Sequence, residues 1–225
     1  MARRIDLNVD IGEGFPFDEA LLQFATSANV CCGAHAGSRE LTHATIDLCR
    51  RHGKRIGMHP GFDNRAEFGR VIPDAPSSTL SRTLLGQAQE FMEIFPAAYI
   101  KPHGAWYNAI VGSQAPGRFD PSRPLFQIVR MYKIPAMLLA GYRGLTDKWL
   151  IREGFADRGY QADGTLIPRS QPGAVLHDPD AVAAQVVRLA PSIDSICLHG
   201  DTAGCVEFAE LVHRTLIDAG FEVGF

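Results

Sequence analysis

Acidic, imidazole and ammonium side chains stand at or just after the ends of several short apolar segments of this chain. The clearest of them are Asp10, Glu13, His59, Lys101 and His103. Carboxylates and imidazoles transfer protons, and a lysine ammonium stabilises negative charge that develops during a reaction. If the ends of these segments meet in space, the residue types predict a site for acid–base chemistry with electrostatic stabilisation.

The segments that bear these residues have the spacing of short strands separated by helices. Strands are predicted at 5–11, 27–32, 55–59, 98–103, 135–139 and 193–199. Amphipathic spacing predicts helices at 80–95, 182–189 and 205–216. A further helix is predicted at 39–52, with Ser38 as its N-cap and Gly53 just after its end.

This alternation predicts a single α/β domain, residues 1–225, built from parallel β/α units. About seven units favour a closed or nearly closed (β/α) barrel, and an open doubly wound sheet is the second choice. Side chains of one parity share one face of a strand, so Leu7 and Val9 oppose Asn8 and Asp10. We expect the polar parity to enter the barrel near the C-terminal strand ends, where barrel enzymes have their active sites.

Composition argues against several classes of function. The 225 residues are 46% hydrophobic and 21% charged, with a formal net charge of −3 and 22 Lys and Arg spread along the chain. Nucleic acid is not an expected partner, because its binding proteins concentrate basic residues. No run of about 18 apolar residues or signal peptide is evident, so we expect no membrane association. The five cysteines form no CxxC pair, which favours a reducing cytoplasm.

Six short motifs occur in order along the chain. They are LNVDIGE at 7–13, SANVCCGAHAG at 27–37, GMHPG at 57–61, KPHGAWYN at 101–108, EGFADR at 153–158 and CLHGD at 197–201. Taken in this order, they closely resemble the LamB/YcsF family, and the resemblance extends from Ile5 to about Phe221. It implies an irregular β/α barrel related to the glycoside hydrolase/deacetylase group.

For function, the resemblance implies opening of the lactam of 5-oxo-L-proline to L-glutamate with ATP hydrolysis. The implied cofactors are ATP and Mg²⁺, and the implied partners are B and C subunits and a small lactam substrate, with a homo-oligomer left open. The candidate catalytic residues are Asp10, Glu13, Lys101, His103, Asp157 and Arg158. The candidate substrate-binding residues are Asn8, Asn29, His35, His59, His199 and Asp201, and no metal ligand is assigned.

The chemistry of a five-membered lactam explains why ATP would be needed. Its amine and carboxylate are held together, so the ring re-forms readily and simple hydrolysis has little driving force. Phosphorylation of the amide oxygen would activate the ring carbon toward water. We expect Lys101 and Arg158 to supply positive charge, Asp10 or Glu13 to act as base or magnesium ligand, and the candidate histidines to donate or transfer protons. Asp157 is expected to orient Arg158.

Two other functions remain open from the sequence. Asp10, His35 and His59 have the side chains of metal ligands, which favours a metal-dependent hydrolase of the deacetylase kind. A non-catalytic subunit that binds a small carboxylated ligand would use the same pocket. The chain contains no GxxxxGK[ST] phosphate loop, so ATP rests on the resemblance alone.

Overall fold

The structure is a computed structural model that describes residues 2–114, 117–201 and 204–225. In this part of the chain the strands are β1 (Arg4–Ile11), β2 (Ser27–Cys31), β3 (Arg55–His59), β4 (Ala136–Leu139), β5 (Leu150–Phe155), β6 (Ser195–Leu198) and β7 (Glu222–Val223). The helices are α1 (Asp18–Leu21), α2 (Arg39–Arg51), α3 (Ser77–Ile94), α4 (Gly104–Ile110), α5 (Ser122–Tyr132), α6 (Pro179–Leu189) and α7 (Cys205–Asp218). Short 3-10 turns lie at Arg65–Glu67, Asp147–Trp149 and Ala190–Ser192.

The strands form a parallel sheet in the order β3-β2-β1-β6-β5-β4, and β7 pairs with the start of β1. Ile100 makes single parallel bridges to Met58 of β3 and Ala136 of β4, which joins the two edges of the sheet. The sheet therefore returns on itself as an irregular barrel. This confirms the predicted fold, and the open doubly wound sheet is wrong.

The strand predicted at 98–103 is reduced to this bridge. Ile100 donates its amide to Pro135 O at 3.0 Å and accepts from the Met137 amide at 2.8 Å. Pro102 has no amide hydrogen to donate, but on the β3 side the hydrogen bonding continues past it, because the His103 amide donates to Pro60 O at 2.8 Å. The segment still delivers Lys101 to the C-terminal mouth of the barrel.

The helices pack on the sheet through their apolar faces. Ser38 caps α2 as predicted, because its Oγ accepts from the Leu41 amide at 3.1 Å. The helices predicted at 80–95, 182–189 and 205–216 are confirmed as α3, α6 and α7. The sequence analysis missed α1, α4 and α5. The α4 helix begins at Gly104, where φ is +55° and a Cβ would lie 2.6 Å from Gly69 O.

Parity within β1 separates the apolar core from the polar interior. Leu7 and Val9 are fully buried in the hydrophobic core. Asn8 and Asp10 lie on the other face, and the Asn29 amide nitrogen donates to both at 2.7 Å. The predicted alternation is therefore confirmed. Among the described residues, no helix has both the length and the apolar character needed to cross a membrane.

Candidate active site

A cavity of about 460 Å³ opens at the C-terminal mouth of the barrel. Six of the predicted site residues line it: Asp10, His59, Lys101, His103, Arg158 and His199. The other six do not line it, but each contacts a residue that does: Asn8, Glu13, Asn29, His35, Asp157 and Asp201. The structure thus brings the predicted residues into one region, in two layers.

Lys101 is the centre of the buried polar network. Its Nζ donates to Asn8 Oδ1 at 3.1 Å, Asp10 Oδ1 at 2.9 Å and Cys197 Sγ at 2.9 Å. It also lies 2.9 Å from Glu153 Oε1. Lys101 therefore has two buried carboxylates, those of Asp10 and Glu153, as ion-pair partners. The charge of Lys101 compensates these buried carboxylates, and its supply of positive charge to a reaction stays a prediction.

Burial and neighbouring charge set the ionisation of these carboxyl groups. Burial by itself raises the pKa of Asp10, but His59 and Lys101 outweigh it and hold that pKa well below its usual value. Burial lowers the pKa of His59 to about 4, so Lys101 is the partner that is charged at neutral pH. Burial also raises the pKa of Glu153 despite the nearby ammonium group. Its Oε2 accepts from the Tyr107 hydroxyl at 2.8 Å.

Three histidines and Glu13 form a second cluster beside this network. The rings of His35 and His103 stack with centroids 3.8 Å apart and an interplanar angle of 2°. His59 meets His103 edge-on at 89°, and His59 Nε2 lies 2.9 Å from His103 Nδ1. Glu13 Oε1 lies 3.3 Å from His35 Nε2 and 3.7 Å from His103 Nδ1. Burial lowers the pKa of each imidazole and raises the pKa of Glu13.

Two glycines make room for the stacked rings. A Cβ on Gly61 would lie 2.7 Å from His35 Nδ1, and a Cβ on Gly69 would lie 2.8 Å from His35 Cβ. Gly69 also has φ +65°, in the left-handed region that favours glycine. The loop between these glycines places the Phe68 carbonyl oxygen 2.9 Å from His103 Nε2.

Asp157 positions His199. Both carboxylate oxygens lie 3.0 Å from His199 Nδ1, and Oδ2 also accepts from the His199 amide at 3.2 Å. Burial by itself raises the pKa of Asp157, but His199 holds it below its usual value. Because the carboxylate keeps a hydrogen on Nδ1, Nε2 is the proton-accepting nitrogen of His199. The pair is a carboxylate–histidine dyad able to move a proton in the cavity.

Arg158 takes its orientation from backbone carbonyls, contrary to the expectation that Asp157 orients it. Its Nε donates to Ala174 O and its Nη2 to Ile167 O, both at 2.8 Å. Burial and the neighbouring Arg169 lower the pKa of Arg158 to about 10, which leaves it charged at neutral pH. The guanidinium retains N–H groups that can bind a ligand in the cavity.

Two further arginines line the same cavity. Arg70 pairs with Asp201, and its guanidinium lies 4.8 Å from the centre of the Phe68 ring. Burial and the charge of Arg70 lower the pKa of Arg169. Guanidinium groups bind carboxylates and phosphates in a bidentate geometry, so this wall suits an anionic group.

The sequence analysis missed Tyr107, Glu153, Arg70 and Arg169 as site residues. A signal existed for Glu153, because it belongs to the EGFADR motif and has the same parity in β5 as Phe155, which lines the cavity. No periodicity marks Arg70 or Arg169, which lie in loops.

A parallel β/α barrel with polar side chains and a cavity at its C-terminal mouth has the arrangement of barrel enzymes. The chain belongs to the LamB/YcsF family, whose family model matches residues 5–224. The family predicted from the motifs is therefore confirmed.

Two curated proteins match nearly the whole chain. It is 36% identical to the A subunit of 5-oxoprolinase from Rhodopseudomonas palustris, over 98% of this chain and 97% of that protein. It is 37% identical to the A subunit of 5-oxoprolinase from Neisseria meningitidis, over 98% of this chain and 99% of that protein.

Solved structures show the same architecture. The lactam utilization protein from Thermus thermophilus has a TM-score of 0.84 and 27% identity, over 98% of this chain and 99% of that chain. A family 4 carbohydrate esterase from Streptomyces lividans has a TM-score of 0.54 and 13% identity, over 99% of this chain and 92% of that chain. The likeness to the esterase concerns the fold alone.

Proposed function

We propose that this protein is the A component of an ATP-dependent 5-oxoprolinase, which opens the lactam of 5-oxo-L-proline to L-glutamate in the cytoplasm. The observation that supports this most directly is the identity of 36–37%, over nearly the whole chain, to proteins named as the A component of 5-oxoprolinase. The cavity at the barrel mouth adds a chemical argument, because its charges suit this substrate.

The substrate has one fixed negative charge, its carboxylate. In the proposal, Arg158 and Arg169 bind that carboxylate, since both line the cavity and Arg158 is already oriented by backbone carbonyls. A guanidinium held in this way loses little conformational entropy when a carboxylate binds. The lactam ring is thereby directed toward the dyad of Asp157 and His199.

Proton transfer is assigned to His199. Its Nε2 takes a proton from the attacking water and returns one to the ring nitrogen as the C–N bond breaks, while Asp157 stabilises the imidazolium that forms between the two steps. The Asp10–Lys101 pair keeps the cavity floor polar without a net charge. The remaining requirement for water attack is a chemical activation of the ring carbon.

ATP is the proposed co-substrate that activates the ring carbon. Transfer of its terminal phosphoryl group to the lactam oxygen releases ADP. One water then opens the ring to an acyl phosphate, and a second water converts that to glutamate and phosphate. Because the chain has no GxxxxGK[ST] loop, we assign ring opening to this cavity and nucleotide binding to the assembly with the B and C subunits.

Mg²⁺ is proposed to enter with ATP. This ion prefers six oxygen ligands and commonly binds through substrate phosphates. Asp10 Oδ1 is already engaged by Lys101 and Asn29, and Glu13 is surrounded by imidazole nitrogens. These residues do not fit Mg²⁺ as a resident ion.

Reconstitution tests the proposal. The purified chain, its B and C subunits, MgATP and 5-oxo-L-proline are combined, and glutamate and phosphate are measured with each component omitted in turn. We expect stoichiometric glutamate and phosphate only in the complete mixture. Glutamate release without ATP would contradict the proposal and favour a deacetylase-like hydrolase. Binding of 5-oxoproline without turnover in the complete mixture would favour a non-catalytic role for this chain.

Variants of the cavity residues give the finer test. His199→Ala is expected to lower kcat by about 10²–10⁴-fold, the usual contribution of a positioned proton carrier. Arg158→Ala is expected to raise KM by about 10-fold or more, since it removes a charged hydrogen-bond donor from the substrate. His43→Gln, on the exposed face of α2, is the matched control and should match the wild-type rate. Equal kcat in wild type and His199→Ala would refute the assigned role.

A further inference from the structure

Backbone carbonyls determine where the ring hydrogens of two histidines lie. A carbonyl oxygen only accepts hydrogen bonds, so a ring nitrogen that contacts one bears the hydrogen. Lys101 O lies 2.8 Å from His59 Nδ1, and Phe68 O lies 2.9 Å from His103 Nε2. The remaining nitrogens, His59 Nε2 and His103 Nδ1, therefore face each other with their lone pairs at 2.9 Å.

Two lone pairs at this distance repel each other unless a positive ion lies near both. We infer that this position is a binding site for a divalent transition-metal ion, with His59 Nε2, His103 Nδ1 and Glu13 Oε1 as its ligands. The site goes beyond the proposed function, which requires only the Mg²⁺ that accompanies ATP.

Glu13 completes a three-residue set. Its Oε1 lies 3.7 Å from His103 Nδ1, and the candidate ligand atoms of Glu13, His35, His59 and His103 all lie within 4.8 Å of one another. Two imidazoles and a carboxylate are a donor set for zinc, manganese, iron or cobalt, and not for magnesium or calcium.

His35 supports the site without binding the ion. A metal binds in the plane of an imidazole ring, but the His35 ring is parallel to the His103 ring at 3.8 Å, so one ion cannot lie in both planes. His35 Nε2 instead lies 3.3 Å from Glu13 Oε1, the position of an outer partner that orients a carboxylate ligand. The set suggested by the sequence, Asp10, His35 and His59, therefore shares only His59 with this site.

The separation of the two nitrogens constrains the coordination. With metal–nitrogen bonds of about 2.1 Å, nitrogens 2.9 Å apart subtend an angle of about 90° at the ion. That angle favours five or six ligands over a tetrahedral arrangement. His59 and His103 both line the cavity, so the remaining positions of the ion face the space where a small molecule binds.

Metal binding by the purified chain tests the inference without any assay of turnover. Tag-free protein is treated with chelator, and Zn²⁺, Mn²⁺ and Co²⁺ are titrated separately by calorimetry, with visible absorption as a second readout for Co²⁺. We expect one ion per chain for at least one of these metals. His59→Gln and His103→Gln should each weaken binding by about 100-fold or more, since even loss of an outer partner costs about 10–100-fold. His43→Gln should bind as the wild type does.

Because a substituted cluster can fail to fold, nitrogen NMR of histidine in the wild-type chain provides an independent readout. In the metal-free protein, His59 Nε2 and His103 Nδ1 should have the shifts of unprotonated nitrogens and should move on addition of Zn²⁺. A proton shared between these nitrogens that persists in excess metal would overturn the inference. So would the absence of stoichiometric binding, or wild-type affinity in both folded variants. Binding that persists while reconstituted turnover fails would refute the proposed function and leave the metal site intact.

Discussion

Replacement of Lys101 by methionine tests the buried charge network most directly. Methionine keeps most of the aliphatic stem but removes the ammonium group, which leaves Asp10 and Glu153 in a buried site without their cation. Removing one partner from a buried ion pair costs about 3–5 kcal/mol. We expect urea unfolding, followed by far-UV circular dichroism, to show a loss of that size in the free energy of unfolding. Lys148→Met, at an exposed lysine beside Trp149, should change it by less than about 0.5 kcal/mol.

The dependence of this loss on pH gives the experiment its sharpest form. Without Lys101, the folded-state pKa of Glu153 rises further above its unfolded value, so the folded variant retains a proton that the unfolded chain releases. Stability is then lost as pH rises through the folded pKa, and the deficit should be larger at about pH 8 than at about pH 5.5. Adding Glu153→Gln should recover about 1–2 kcal/mol at the higher pH, because a neutral glutamine is buried without having to take up a proton. A Lys101→Met deficit below about 1 kcal/mol, or no recovery in the double variant, would refute the reasoning.

Two further substitutions probe the packing and the dyad. Gly57→Ala should destabilise the protein by about 1–3 kcal/mol, because its Cβ would lie 2.2 Å from the fully buried Tyr99 ring. Gly86→Ala is the control, since a Cβ at this position of α3 meets nothing within 4 Å. It should leave the stability unchanged or raise it by up to about 1 kcal/mol. Equal denaturation midpoints for the two alanine variants would contradict this. Asp157→Asn should lower the free energy of unfolding by about 1.5–3 kcal/mol at neutral pH. The folded pKa of Asp157 lies below its unfolded value, so the stability difference between wild type and Asp157→Asn should shrink as pH falls below about 4. A stability difference that does not depend on pH would count against the His199 contact.

Strand parity and the family resemblance were enough to predict the barrel and much of the site. Asp10, His59 and His199 were found because each ends or follows a strand with clear alternation, and parallel strands bring such ends to one mouth. The same parity placed Asn8 beside the site but could not show that its side chain bonds to Ser195, Asn29 and Lys101.

What the sequence could not supply is pairing across long separations. Asp157 and Arg158 are neighbours in the chain, which suggested an ion pair, yet their side chains point to different partners, His199 and the carbonyls of 167 and 174. Arg70 was missed because a loop residue has no periodicity to reveal its direction. Ring orientation at His59 and His103 depends on carbonyls of other segments, so the facing nitrogens were also beyond the sequence.

The closure of the barrel through Ile100 affects how firmly the chemistry is assembled. Elsewhere adjacent strands share ladders of several residues, and the amides of Ala98, Lys101 and His103 hold this segment to the β3 side. Among the described residues, its link to the β4 side, the seam of the barrel, consists of the two backbone hydrogen bonds of Ile100. The next residues along the chain supply both Lys101 and His103, so a transient break in the seam would disturb the cation of one cluster and a ring of the other together. The two clusters are thereby coupled mechanically, and whatever stabilises the seam, a bound ligand or a neighbouring protein, would order both at once.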